Sequence, residues 1–162
     1  FRNHNSGLGS KLKRAESLSL AMQVSGMAVL QAIDAWDTGR RPFSSGRENL
    51  RRAWTTAPEW DDNHFLYDYV GHPYTGSVTF NLMRSQNASP LVSWLFSCSQ
   101  SLIWEYTLEA TEEQPSIQDL IITSNVGSLI GEGAHRLTMK MKRRKYLIFM
   151  KSLRSLGKNC SR

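Results

Sequence analysis

SPLVSWLFSCSQSLIWEYTLEA, residues 89–110, decides the fold. Ser89 followed by Pro90 is an N-cap residue with proline at the first helical position, and it predicts a helix running to about Ala110. Along that helix Ser89, Ser93, Ser97, Ser101 and Glu105 recur at every fourth residue, while Leu91, Leu95, Cys98, Leu102 and Tyr106 cover a neighbouring face. A ridge of small hydroxyls ending in a carboxylate lets another helix approach closely. A second small-residue face lies downstream in PSIQDLIITSNVGSLIGE, residues 115–132. There Ser116 follows Pro115, Asp119 stands three residues on as an acidic variant of the capping box, and a helix is predicted to about Arg136. Its Ser124, Gly127, Ser128 and Gly131 include a GxxxG spacing of the kind that brings helix backbones together. Two small faces predict one tight helix pair.

Working outward, Ala15, Leu18, Met22, Ser25, Val29, Ala32 and Trp36 keep a three-four spacing that predicts a packing helix from about Lys11 to Trp36, ended by Gly39 and Pro42. Residues 40–68 are rich in charge, Pro and Trp without a period, and read as a long aromatic-rich loop with a short helix at Gly46 to Trp54. Trp54, Trp60, Phe65, Tyr67, Tyr69 and Tyr74 are expected to form a lid on the core. Tyr74 to Gln86 reads as a further helix. The fold class is therefore all-α, a compact bundle of four to five helices with close small-residue helix packing. Residues 1–136 form a single helical domain, and 137–162 a basic amphipathic C-terminal helix or tail.

Composition narrows the classes. A chain of 162 residues with 40% apolar content and five Trp is long enough for one domain with a modest core. Cys98 and Cys160 follow no metal spacing and indicate no disulfide framework. The opening FRNHNSGLGS has no initiator Met and no apolar h-region, so either a leader has been removed or the chain is a piece of a longer protein. The net charge of +6 is unevenly spread: residues 1–135 carry ten Lys/Arg against fourteen acids, and 136–162 carry ten Lys/Arg against none. The body is mildly acidic, which disfavours a nucleic-acid role for the domain despite a pI near 9.6. The stretches Ser17 to Ile33 and Ser85 to Trp104 carry no formal charge, yet both are full of Ser, Gln and Asn, and a mean hydropathy of −0.41 favours a peripheral or enclosed bundle over a membrane-spanning one.

Between Gly71 and Glu132, polar and ionisable residues recur inside apolar helical stretches, where an unpaired charge is costly. The order HPYTG, NLMRS, WEY, PSIQDLI and GSLIGE resembles an uncharacterised bacterial domain-of-unknown-function family of predicted envelope proteins, some of which continue into an outer-membrane-type barrel. The resemblance covers about 54–137. It implies a location, the bacterial envelope facing the periplasm, rather than a chemistry. The later part is also weakly similar to VanZ-like membrane proteins and small periplasmic lipoproteins. The chain differs from the family pattern in its basic tail and in Gln86-Asn87, where a Gly-containing turn is usual.

Two readings of the block stand side by side. In one, His72, Glu105, Asp119 and Glu132 converge as an acid/base or metal site. In the other, Arg84 pairs with Glu105, Asp119 caps its own helix, Glu132 pairs with Arg136, and His72 fixes the turn before Pro73. Tyr74, Asn81, Arg84, Trp104 and Asn125 are the candidate binding residues; no cofactor and no metal is assigned. His135 is read as sitting at a helix end, where a cation meets the dipole. In the tail, Tyr146, Phe149, Met150, Leu153 and Leu156 form an apolar face, and Lys140, Arg144, Lys151, Arg154 and Lys158 a basic one, a pattern suited to an anionic membrane surface. The expected function is a non-catalytic bacterial envelope protein that associates with a membrane surface or an envelope protein complex. The alternative is a lipid- or glycan-directed hydrolase using Glu105, and a third reading is DNA binding through the tail. Oligomeric state is left open.

Overall fold

The computed structural model describes the backbone of residues 7–38, 46–60 and 65–159, and their side chains as far as Met150 apart from Asp34, Ala35, Asp37, Thr38, Tyr67 and Phe149. Among these the fold is all-α: α1 (Leu8–Thr38), α2 (Gly46–Thr55), α3 (His72–Arg84), α4 (Pro90–Ile103), α5 (Ile117–Ile121) and α6 (Gly127–Asn159). Three single π turns join or precede them, at Tyr67–Gly71, Trp104–Leu108 and Ile122–Val126. The last makes α5 and α6 one continuous rod. The expected break at 136–137 is therefore absent from the backbone, and His135 lies well inside a helix rather than at its end.

Both predicted caps form. Ser89 Oγ accepts from Val92 N–H, and Ser116 Oγ from Asp119 N–H at 3.1 Å. The small faces are also buried, and α4 touches the second of them directly, where Cys98 neighbours Ser124 and Trp94 Nε1 donates to Asn125 Oδ1 at 3.2 Å. Each also packs on α3, which contacts both α4 and α6. On one side Gly76 and Gly127 bring backbones together: a Cβ at Gly76 would collide with the Thr123 carbonyl, and one at Gly127 would stand 2.7 Å from Gly76 Cα. On the other side the serine ridge meets α3 through hydroxyls, with Ser97 Oγ 3.1 Å from Thr79 Oγ1 and donating to Gly76 O at 3.3 Å. The single pair expected from sequence is a three-helix contact, because α3 carries a small residue toward each neighbour.

α1 corrects a second expectation. Leu18 and Trp36, from the apolar stripe, face outward, Met22, Ser25 and Val29 border a cavity, and the buried residues are Ala15, the first of the stripe, with Ser19, Gln23, Met27 and Gln31 from beside it. The cause is the partner. α1 packs chiefly on α3, with Ala15 against Met83, and is tied to α4 by amides: Gln23 Nε2 donates to Gln100 Oε1 at 3.1 Å, and Gln100 Nε2 donates to Glu16 Oε2 at 2.7 Å, contacts that an apolar stripe could not make. The aromatic lid is not found either: Trp54, Trp60, Phe65, Tyr69 and Tyr74 are exposed, and the Tyr67 side chain lies outside the described residues. Trp54 packs on Tyr106, with ring centroids 5.3 Å apart. The segment is held instead by backbone hydrogen bonds, Glu59 N–H to Pro115 O and Ile117 N–H to Glu59 O, each 3.0 Å.

The α3–α4 turn explains one departure from the family pattern. Asn87 has φ +60°, the left-handed conformation that a glycine would take without cost, and asparagine tolerates it better than other residues. Asn87 N–H and Ala88 N–H close on Arg84 O and Met83 O, ending the helix. Asn87→Ala is expected to lower stability by about 1 kcal/mol while Asn87→Gly leaves it level or raises it, as urea midpoints would show.

Candidate functional site

The three π turns surround one place. The first delivers His72 at the start of α3, the second contains Glu105, and the third contains Thr123. Single π turns are rare and concentrate at functional sites, because the extra residue redirects a side chain that a regular helix would aim elsewhere. Here Glu105 and Asp119, each 1% exposed, meet the largely buried His72 in the helical interior.

His72 Nδ1 is 3.0 Å from Thr123 Oγ1, and its Nε2 is 3.8 Å from Asp119 Oδ1. Glu105 Oε2 accepts from Ser116 N–H at 2.9 Å, while Oε1 receives no N–H or hydroxyl among the described residues. One ligand atom from each of His72, Glu105 and Asp119 lies within 4.8 Å of the others. Ser116 thus does two things: its hydroxyl caps α5, and its N–H anchors the Glu105 carboxylate beside Asp119. Nearby, Gln118 Nε2 donates to the buried Asp68 Oδ2 at 3.1 Å.

Burial pushes the Glu105 carboxyl up to about 7, with the nearby Asp119 charge adding to the rise and the Ser116 N–H opposing it. Burial raises Glu109 as well, and the Glu105 charge beside it adds to that. A folded-state value above the unfolded one means that the folded protein holds the proton longer. The contribution of Glu105 is then fullest below about pH 4.5 and falls as pH rises through 7, by roughly 2–3 kcal/mol. Glu105→Gln in chelator is expected to flatten that slope and to raise the urea midpoint at pH 8; an unchanged slope would remove Glu105 as its source.

Beside the cluster lies a cavity of about 520 Å³ whose walls include Met22, Gln23, His72, Trp104, Glu109 and Thr123. His72 belongs to both the cluster and the cavity wall, and half-buried Glu109 lies on the wall with its Oε2 shut off from solvent and its carboxyl against that of Glu105.

Of the four residues expected to converge, His72, Glu105 and Asp119 do. Glu132 does not: it accepts from Arg84 Nε and from Arg136 Nε, both at 2.8 Å. Arg84 therefore pairs with Glu132 and not with Glu105, and the Asp119 carboxylate faces His72 while Ser116 caps the helix. Among the candidate binding residues, Tyr74 and Trp104 line the cavity. Asn81 Nδ2 instead donates to Gly131 O at 3.0 Å, a bond between α3 and α6, and Asn125 Oδ1 accepts from Trp94 Nε1 at 3.2 Å. Lys140 and Arg144 are exposed on α6, and the side chains of Lys151, Arg154 and Lys158 lie outside the described residues.

Two site residues were missed from the sequence, although the signal was there. Glu109 continues the serine ridge one step past Glu105, and Thr123 stands four residues after Asp119 on the same face.

Comparison with known proteins gives one match. The family described as Domain of unknown function (DUF3943) matches residues 57–158, which takes in the cluster, the cavity-lining parts of α3 and α4, and most of the basic stretch of α6. No curated protein and no solved structure matches the chain.

Proposed function

The chain belongs to the DUF3943 family of unknown function, and from that premise we propose that it is a bacterial envelope protein that associates with an anionic membrane surface. Envelope location is what the motif resemblance implies. The observation that supports the membrane reading is the large apolar surface left outside, while part of the interior beside the Met83–Phe96 core is polar. Ser93, Ser97, Gln100, Gln23 and Thr79 are buried, while Leu18, Leu95, Leu102 and Leu129 face outward. In water that arrangement leaves large apolar side chains solvated at about 25 cal/mol per Å² and uses part of the interior for polar pairs. Against lipid, or at its headgroup boundary, both faces are favourably placed.

Charge complementarity selects the surface. Residues 136–162 carry ten Lys/Arg and no acid, and α6 holds Lys140, Lys142, Arg143, Arg144 and Lys145 exposed among Leu137, Met139, Met141, Tyr146 and Leu147. Each basic residue near an anionic surface contributes about 1 kcal/mol. Among the described residues no helix is long and apolar enough to cross a membrane, so the association proposed is with the surface.

Flotation tests it. The purified chain is expected to rise with vesicles containing anionic lipid in low salt, to do so less in high salt, and to stay down when Lys140 and Arg144 are both changed to Glu. Failure of the unaltered chain to float with any vesicle would contradict the proposal. A hydrolase centred on Glu105 is favoured by one observation, the convergence of His72 and Asp119 on that carboxyl, and requires that Glu105→Gln abolish turnover while the fold survives.

A further inference from the structure

We infer that His72, Glu105 and Asp119 form a binding site for one divalent transition-metal ion. Glu105 carries the argument. It is 1% exposed, it projects into the cluster from a π turn, and its Oε1 receives no N–H or hydroxyl among the described residues, the side chain against it being a second carboxyl, Glu109. Neither Glu105 nor Glu109 is paired with Lys or Arg among the described residues, although Arg84, Arg136, Arg51 and Arg52 all find carboxylates elsewhere in the molecule. Burying such a carboxylate without a compensating positive charge is costly, and an ion supplies that charge where these three ligating side chains meet.

The donor set fits a particular kind of ion. An imidazole with two carboxylates suits Zn²⁺ or Mn²⁺, whereas Mg²⁺ gains nothing from the imidazole. Two carboxylates also balance the charge of one divalent cation. The outer partners are of the kind that orient metal ligands: Thr123 Oγ1 engages His72 Nδ1 and leaves Nε2 on the side of Asp119, and the Ser116 N–H holds Glu105 Oε2. Ligand atoms bound at about 2.0–2.2 Å lie roughly 3–4 Å from one another. The observed spread of up to 4.8 Å then requires closure by about 1 Å, within reach of side-chain adjustment. His72 also lines the cavity, so an ion held there borders space large enough for a small ligand.

The test uses the full, untagged chain and does not depend on membrane association. Metal content is measured on the protein as purified, and thermal midpoints are measured after chelator treatment with Zn²⁺, Mn²⁺ or Mg²⁺ added back. Expected is one site per chain, a rise of at least several degrees with Zn²⁺ or Mn²⁺, little with Mg²⁺, and loss of the rise in both His72→Gln and Glu105→Gln. Glu105→Gln is nearly isosteric and removes a buried charge, so it keeps the fold available for the measurement even where His72→Gln does not. No rise with any ion, an equal rise with Mg²⁺, or a rise that survives in Glu105→Gln would each overturn the site.

Discussion

Gly76→Ala is expected to unfold the bundle, with the loss of cooperative melting and of most far-ultraviolet helical signal. The added methyl would have to occupy the position of the Thr123 carbonyl and crowd Gly127 Cα, both of them backbone, so no side chain can swing away to make room. Overpacking a well-filled contact costs typically 1–3 kcal/mol, and a backbone collision lies at or above about 3 kcal/mol, a large part of the stability of a domain this size. Gly127→Ala is expected to behave alike. Gly26 and Gly133 are the contrast: a Cβ at either meets open space, so alanine there is expected to add about 0.5–1 kcal/mol through helix propensity. If Gly76→Ala melts like the unaltered chain, the contact of α3 with α6 is not the centre of the fold.

Arg84→Ala is expected to have the next largest effect. Arg84 joins three elements: it donates through Nε to Glu132 on α6, through Nη2 to the other Glu132 oxygen, and through Nη1 to Ala88 O in the turn that leads into α4. Arg84 and Glu132 are both largely buried, and the Arg84 guanidinium holds the Glu132 carboxyl below the usual range. Truncation would leave Glu132 with only the exposed Arg136, at a cost of about 2–4 kcal/mol after allowing for partial access to solvent. Arg84→Lys keeps the charge but loses the fork, and should recover less than half of that. Urea unfolding of the two variants beside Glu132→Gln would show whether the losses overlap, as members of one network should.

Much of the fold was legible because its signals are local. Ser89-Pro90 and Ser116 announce their helices by capping chemistry, which depends on two or three neighbouring residues; both serine hydroxyls cap as read, while the Asp119 half of the second box gives way to Glu105, which takes the Ser116 N–H. The serine ridge was legible as a buried face because small residues at every fourth position have few uses on a surface. The apolar stripe on α1 misled for a related reason. A three-four pattern identifies a face but not which side of it is buried, and the usual assignment assumes an apolar interior. Where the interior is lined by Ser, Gln and Thr, the outward face is the apolar one, and Gln23 and Gln100 make the tie to α4 that Leu18 does not.

The site was half legible for a different reason. His72, Glu105 and Asp119 were singled out as ionisable residues in apolar surroundings, a property visible in sequence. Glu132 has that same property and goes elsewhere, since the choice between Arg84 and the cluster depends on how α3 and α6 are rotated against each other. The π turns were not visible at all, because an extra residue in a helical turn leaves composition and capping unchanged. They decide which way Glu105 points.

The most direct test of the central claim, that the apolar exterior meets lipid, is quenching of tryptophan fluorescence by anionic vesicles with brominated acyl chains. Trp36, Trp54 and Trp60 are all exposed on the outside of the molecule, so lipid contact should register without any substitution. The account predicts quenching by brominated vesicles that unbrominated vesicles of the same charge do not cause. Fluorescence unchanged by either, with the chain left in solution or bound through charge alone, would contradict it.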